Sequence, residues 1–319
     1  MSEYATSGVA HPDTNTEIRG HDGIVTRVLA PLDMVRSALA DAVRSRVGAD
    51  GQADIFDADG PRWFANDAVI RTVHLDASMF VGGLRALLLQ SLHPLAMAGV
   101  AGHSGYRGDP WGRLQRTSWF LAMTTFGPAD GAEAVIARIR RIHDTVRGTA
   151  PDGRAYSAND PHLLKWVHVT EIDSFLLAYR RFGASDLTDD QRNEYVAQTA
   201  MVAEKLGVVA APRTVAELRA ALADYRPELQ GTQAARDAAR YLLVTPPLPA
   251  LARPGYGLIA AAAVGTLPGW ARRMLWLPPA LPVADRLVAD MVGQVATRTM
   301  RWAMTAARRP ETDPVTAAG

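Results

Sequence analysis

Apolar residues recur along nearly the whole chain every third or fourth position rather than in strict alternation, a period that fits helices and not half-buried strands. Abundant alanine favours the same outcome, so the fold is expected to be all-α, a multi-helix globular domain. The periodic segments predict helices near 31–47, 77–92, 112–126, 131–146, 161–182, 189–206, 215–225, 232–244, 255–264 and 282–308. Asp160 followed by Pro161 reads as a capped helix start. Thr214-Val215-Ala216-Glu217 fits a capping box. Clusters at Pro246-Pro247-Leu248-Pro249 and Pro278-Pro279-Ala280-Leu281-Pro282 break the last third into pieces. With 319 residues, the reading is one domain over 31–309 between a flexible N-terminal segment, 1–30, and a flexible tail, 310–319.

Charge and cysteine content narrow the chemistry. Lys and Arg total 34 against 33 Asp and Glu, a net charge of +1, so no global field favours nucleic acid. Cysteine is absent, which removes disulfides, thiolate nucleophiles, cysteine-held clusters and thiolate-ligated haem. Metal chemistry here must use His, Asp, Glu or Tyr. The first twenty residues carry no basic stretch leading into an apolar one, so the expected location is cytoplasmic. The most apolar run, 256–267, is interrupted by Gly257 and Gly265 and falls short of a bilayer span, leaving a core helix or a contact peripheral to a membrane. Hydrolase, metalloprotease, calcium-loop and phosphate-loop patterns do not occur.

Histidines on apolar helix faces are what remain. His143 falls within the stripe expected from Val135, Ile139, Ile142 and Val146, so an imidazole is aimed at the core, where its nitrogens need hydrogen-bonding partners or a metal. His168 shares one side of its helix with Leu164, Phe175 and Tyr179, and Glu171 lies a turn beyond it. Arg113, Arg116 and Thr117 stand on one face of another helix, near a terminus whose dipole opposes cations, and suit an anion or an oxygen ligand. A glycine-rich connection, 99–106, suggests a close approach of backbone to something flat or bulky. His93 reads as a residue closing its helix. Taken one by one, these histidines fit a hydrogen-bonded core residue more readily than a ligand.

In order, the chain carries His93-Pro94, His103-Ser104-x-Tyr106, Asp109-Pro110-x-Gly112-Arg113-x-x-Arg116-Thr117, Gly127, His143, Gly148, Asp152-Gly153, Tyr156, Asn159-Asp160-Pro161, Trp166-x-His168 and Phe182-Gly183. This set resembles the MpaB and latex clearing protein superfamily, the rubber oxygenase catalytic domain, over roughly residues 64–206. The resemblance implies an all-α domain enclosing a haem b pocket, an iron-ligating histidine, and a distal arginine and threonine. The family pattern Arg-x-x-His-x-x-x-Arg is matched by Arg140, His143 and Arg147, making His143 the implied metal ligand. Arg113, Arg116 and Thr117 match the distal Arg-x-x-Lys-Thr, with Arg116 in place of lysine; a guanidinium stays protonated and cannot ligate iron. No glutamate stands between Asp76 and Gly112, where latex clearing protein has its distal base, and Asp109 is the nearest acid. These departures argue against rubber cleavage.

The expected activity is that of a haem b-dependent oxygenase, an oxidoreductase using dioxygen or peroxide on an apolar, terpenoid or lipid-like substrate. His143 is the expected metal ligand, Arg140, Arg147 and His168 the other cofactor-binding residues, and Arg113, Arg116 and Thr117 the catalytic ones. His93 and His103 are weaker distal candidates. The alternatives are a haem carrier or sensor without turnover, a metal-free lipid-binding helical protein, and a non-haem iron site built from His143, His168 and Glu171.

Overall fold

The computed structural model describes residues 55, 58–103, 110–246, 253–279 and 284–307. The expected helix at 31–47, both terminal segments and Asp109 lie outside them. The helices are α1 (Val69–His74), α2 (Ser78–Gln90), α3 (Pro94–His103), α4 (Pro110–Phe126), α5 (Ala129–Thr145), α6 (Pro161–Phe182), α7 (Asp189–Leu206), α8 (Val215–Asp224), α9 (Gln233–Val244), α10 (Arg253–Thr266), α11 (Gly269–Met274) and α12 (Ala284–Ala307). A hairpin of β1 (Arg147–Thr149) and β2 (Ala155–Ser157) pairs antiparallel, with Gly148 opposite Tyr156, and supplies the only extended pair among the described residues. The protein is all-α.

Helix α6 is the central element, and its start follows from local chemistry. The Asp160 carboxylate accepts from the His162 N–H at 2.9 Å, and Pro161 occupies the first turn, where its missing N–H costs nothing. Trp166, Val169, Ile172, Phe175, Leu176, Tyr179 and Phe182 then bury most of its circumference in one cluster shared with α1, α2, α8, α10 and α12. Helix α2 crosses α6 so closely that a Cβ on Gly82 would lie 2.8 Å from the Phe175 ring and 3.0 Å from the Phe175 Cα. Within that interface the buried Arg85 guanidinium donates to the partly exposed Asp173 at 2.8 Å and to the buried Ser174 hydroxyl at 2.7 Å, so its charge is compensated.

Helix α7 begins with a capping box between Thr188 and Gln191 and ends on Gly207 in the left-handed region, φ 115°. At α8 only half of the expected box forms. Thr214 accepts from the Glu217 N–H at 3.2 Å, but the Glu217 carboxylate reaches past the cap to the Arg213 N–H at 2.7 Å. Helix α10, the apolar run, buries Ile259, Ala260, Ala262 and Ala263 against α2 and α12. Among the described residues no single helix is long and apolar enough to cross a membrane; α2 and α3 reach that length only together and bend by 104° at their junction.

Two expectations are corrected. The glycine-rich stretch from Gly99 to His103 continues helix α3 rather than forming a connection, and the flat group its glycines admit is the Tyr156 ring, 3.7 Å from a Cβ on Gly99 and with its hydroxyl 3.0 Å from one on Gly102. His93 does not close α2, which ends at Gln90. It opens α3, where its carbonyl accepts from the Met97 N–H at 2.9 Å and its Nδ1 lies 3.5 Å from the Ala96 N–H.

Candidate functional site

His143 lies in the last turn of α5, a helix packed on α4 and α7. The buried stripe of α5 is rotated from the expected one: Ala132 and Ile136 are buried, whereas Ile142 is 43% exposed. His143 follows Ala132, Ile136 and Ile139 at helical spacing, so the imidazole still falls on the inward side. Its Nδ1 is buried and makes no hydrogen bond. Loss of solvent holds its pKa below the ordinary histidine value, opposed by the Asn159 side chain and the Asp144 carboxylate, so the ring is neutral at physiological pH. Asn159 ties this turn to the start of α6, donating from Nδ2 to Asp144 at 2.6 Å and to the Arg140 carbonyl at 3.2 Å.

His168, on α6, repeats the pattern more deeply. It is buried beside Leu164, Phe175 and Tyr179, its Nε2 has no hydrogen-bond partner, and burial reinforced by Lys165 lowers its pKa to about 4. One turn on, burial raises the Glu171 carboxyl to about 7. That carboxyl in turn adds to the burial that pushes the Tyr195 phenol well above its usual range. The Tyr195 hydroxyl reaches His74 Nε2 at 3.2 Å, and His74 Nδ1 reaches the Thr125 hydroxyl at 2.9 Å, joining α1, α4 and α7 through an imidazole that burial keeps neutral, with a pKa of about 3. Sequence reasoning missed this chain: α1 is a single short helix without a readable period, and His74 meets its partners 51 and 121 residues away.

Of the predicted donors, Arg116 and Thr117 lie exposed on α4. The side chains of Arg113 and His103 fall outside the described residues. Arg140 and Arg147 flank His143, both exposed, and Arg140 Nη1 reaches the Lys205 carbonyl at 3.5 Å. A groove of about 340 Å³ is lined by Arg85, Leu89, Trp166, Asp173, Leu222 and Trp270 among others and contains none of the histidines.

A second histidine cluster forms where α2 turns into α3. His93, fully buried, places Nε2 3.2 Å from Glu228 Oε2, and His162 Nε2 lies 3.0 and 2.9 Å from the two Glu228 oxygens. Among the described residues this is the group of three or more histidines and carboxylates whose ligand atoms converge within 4.8 Å. His143, His168 and Glu171 do not converge so, and the alternative of a non-haem iron site built from them is not supported.

The helices and these inward imidazoles define the class, an all-α domain that buries neutral histidines with free ring nitrogens. Residues 71–308 match the family described as ER-bound oxygenase mpaB/B'/Rubber oxygenase, catalytic domain, and the chain belongs to that family of oxygenase domains. No curated protein and no solved structure matches the chain.

Proposed function

We propose that this chain is a haem b-dependent oxygenase acting on an apolar, terpenoid or lipid-like substrate, with His143 as the iron ligand. The observation that carries the reading is the buried Nδ1 of His143, left without a protein partner on a ring that burial keeps neutral, which is the ligating form. An orphaned buried nitrogen costs about 1–3 kcal/mol, an expense a bound group would remove. The residue types present therefore fit haem. When bound, it would supply the oxygen-activating chemistry that side chains lack.

The remaining assignments concern this chain's own groups. Arg140 on α5 and Arg147 at the start of β1, exposed to either side of His143, suit the two propionates as permanently charged donors. His168 is assigned an orienting role, its depressed pKa keeping it neutral. Arg113, Arg116 and Thr117 of α4 are assigned to binding dioxygen or peroxide by hydrogen bonds. Arginine holds its proton there throughout, so these residues orient and polarise but do not act as a base.

Absorption spectra of wild type, His143→Ala and His168→Ala, each expressed with ample haem, test the reading. A Soret band in wild type that is lost in His143→Ala and merely shifted in His168→Ala is expected. His168 has its own orphaned nitrogen, and loss confined to His168→Ala would move the ligand there. No Soret band in any of the three would overturn haem binding and leave a lipid-binding domain. Arg113→Ala with full haem occupancy but no substrate oxidation separates turnover from carriage or sensing.

A further inference from the structure

His93, His162 and Glu228 lie outside the site just described and come from three different elements: the corner between α2 and α3, the first turn of α6, and the 3-10 turn Arg226–Glu228. Both histidines aim Nε2 at the same carboxylate, at 3.2 Å for His93 and 2.9 Å for His162. Donors bound to one tetrahedral zinc ion at about 2.0–2.2 Å stand roughly 3.4 Å from one another, so the two separations to Glu228 are already close to what a shared ion requires, and all three atoms lie within 4.8 Å of one another.

The surroundings support ligation at those atoms. His162 Nδ1 lies 3.4 Å from the Tyr225 hydroxyl, which itself donates to the His162 carbonyl at 2.7 Å. An ion at Nε2 would leave the ring proton on Nδ1, facing the Tyr225 oxygen, the arrangement that orients metal-ligating histidines elsewhere. Tyr225 also packs on Trp166, with ring centroids 5.1 Å apart, and Trp166 donates to the Gln90 carbonyl at 3.2 Å, so the frame around the cluster is rigid. For His93, ligation would move the proton to Nδ1 and give up only the long 3.5 Å contact from the Ala96 N–H. Arg154, the neighbouring cation, is itself paired with Asp152 at 2.7 Å. The side chains of His162 and Glu228 are 51% and 37% exposed, which leaves the outer side of the cluster open to water.

We infer that His93, His162 and Glu228 form a site for one divalent first-row transition ion, held by two imidazoles and a carboxylate with its remaining coordination open to solvent. Two histidines and a carboxylate suit zinc or iron(II) and do not suit magnesium, which demands oxygen ligands. The ion would clamp the α2–α3 corner to the start of α6. The inference does not depend on the haem reading, because none of its ligands belongs to that site.

The test is a titration of chelator-treated full-length protein with ZnCl2, followed by calorimetry and thermal unfolding, with MgCl2 as control. Wild type is expected to bind one Zn2+ per chain and to gain in Tm, with no response to Mg2+. His162→Ala, at an exposed position, and Glu228→Gln, at a partly exposed one, are expected to bind at least roughly tenfold more weakly and to lose the Tm gain. His143→Ala is expected to bind Zn2+ like wild type, which separates this site from the haem pocket. Equal Zn2+ affinity in wild type, His162→Ala and Glu228→Gln, or no binding in wild type, would overturn the site and leave a hydrogen-bonded brace.

Discussion

The two histidine regions handle the same problem in opposite ways. At the α2–α3 corner, both His93 nitrogens and the His162 Nε2 face a donor or an acceptor, so this corner can stand as a satisfied brace before any ion arrives. On α5 and α6, His143 and His168 each keep a buried nitrogen with no partner at all. Buried polar groups in folded proteins are nearly always paired, so the second arrangement tolerates a cost that the first avoids. A satisfied imidazole contributes to folding, whereas an orphaned one costs stability, a cost that the proposed haem would relieve.

The contrast is broken most directly by replacing a satisfied histidine. His93→Leu removes the bond to Glu228 and the cap on α3 from a fully buried position. The expected loss is about 2–3 kcal/mol, seen as a lower denaturant midpoint at unchanged m-value. A loss below about 0.5 kcal/mol would mean that the corner is not a brace.

Next in size is the pH dependence around α6. Glu171, raised to about 7 in the folded state, keeps a proton that the unfolded chain releases near its ordinary value of 4.5. Its contribution to stability is therefore complete below pH 4.5 and lost as pH rises through 7. Glu171→Gln should make the protein more stable at pH 8 by about 1–2 kcal/mol, a figure reduced because the carboxylate is only partly shielded by surface area. His168 has the opposite sign. With its folded pKa lowered to about 4, its contribution is complete above 6.5 and is lost as pH falls toward 4. Unfolding curves at pH 5 and pH 8 for wild type and Glu171→Gln decide the matter: an equal stability change at both values would remove Glu171 as the titrating group.

An orphaned histidine should respond quite differently from His93. In cofactor-free protein, His168→Leu replaces an unsatisfied imidazole with an apolar side chain of similar size, and the expected change is neutral to stabilising, within about 1 kcal/mol. The same variant should hold haem less well if His168 orients it. A destabilisation of 2 kcal/mol or more in the cofactor-free protein would show that His168 has a structural partner and that the two regions do not differ.

How much of this was legible in the sequence depends on how local the determinant is. Asp160-Pro161 carries its own start signal, and the long periodic run behind it gave α6 its full extent, 161–182. The inward direction of His143 followed from spacing, but the phase of the stripe did not, because α5 packs on α4 and α7 through Ala132 and Ile136 and leaves Ile142 outward. α3 escaped because an evenly apolar, glycine-containing stretch has no face to read, and its glycines were mistaken for turn residues when they make room for Tyr156. His162 and Glu228 meet across 66 residues, and no spacing rule joins positions that only the packing of α6 against the 3-10 turn brings together.

The smallest expected effect concerns how the chain tunes His143 rather than whether it needs it. Asn159 joins the last turn of α5 to the cap of α6 through Asp144 and the Arg140 carbonyl, and its side chain is one of two groups that oppose the lowering of the His143 pKa by burial. Asn159→Ala removes two partly exposed hydrogen bonds, so the stability cost should stay near 1 kcal/mol. The informative readout is the imidazole itself. Without Asn159 the desolvation of His143 is less well opposed, and its pKa, followed by NMR in the cofactor-free protein, should fall further below the ordinary value. A rise, or no movement, would mean that Asn159 serves only to anchor α5, and that burial is opposed at His143 by Asp144 alone.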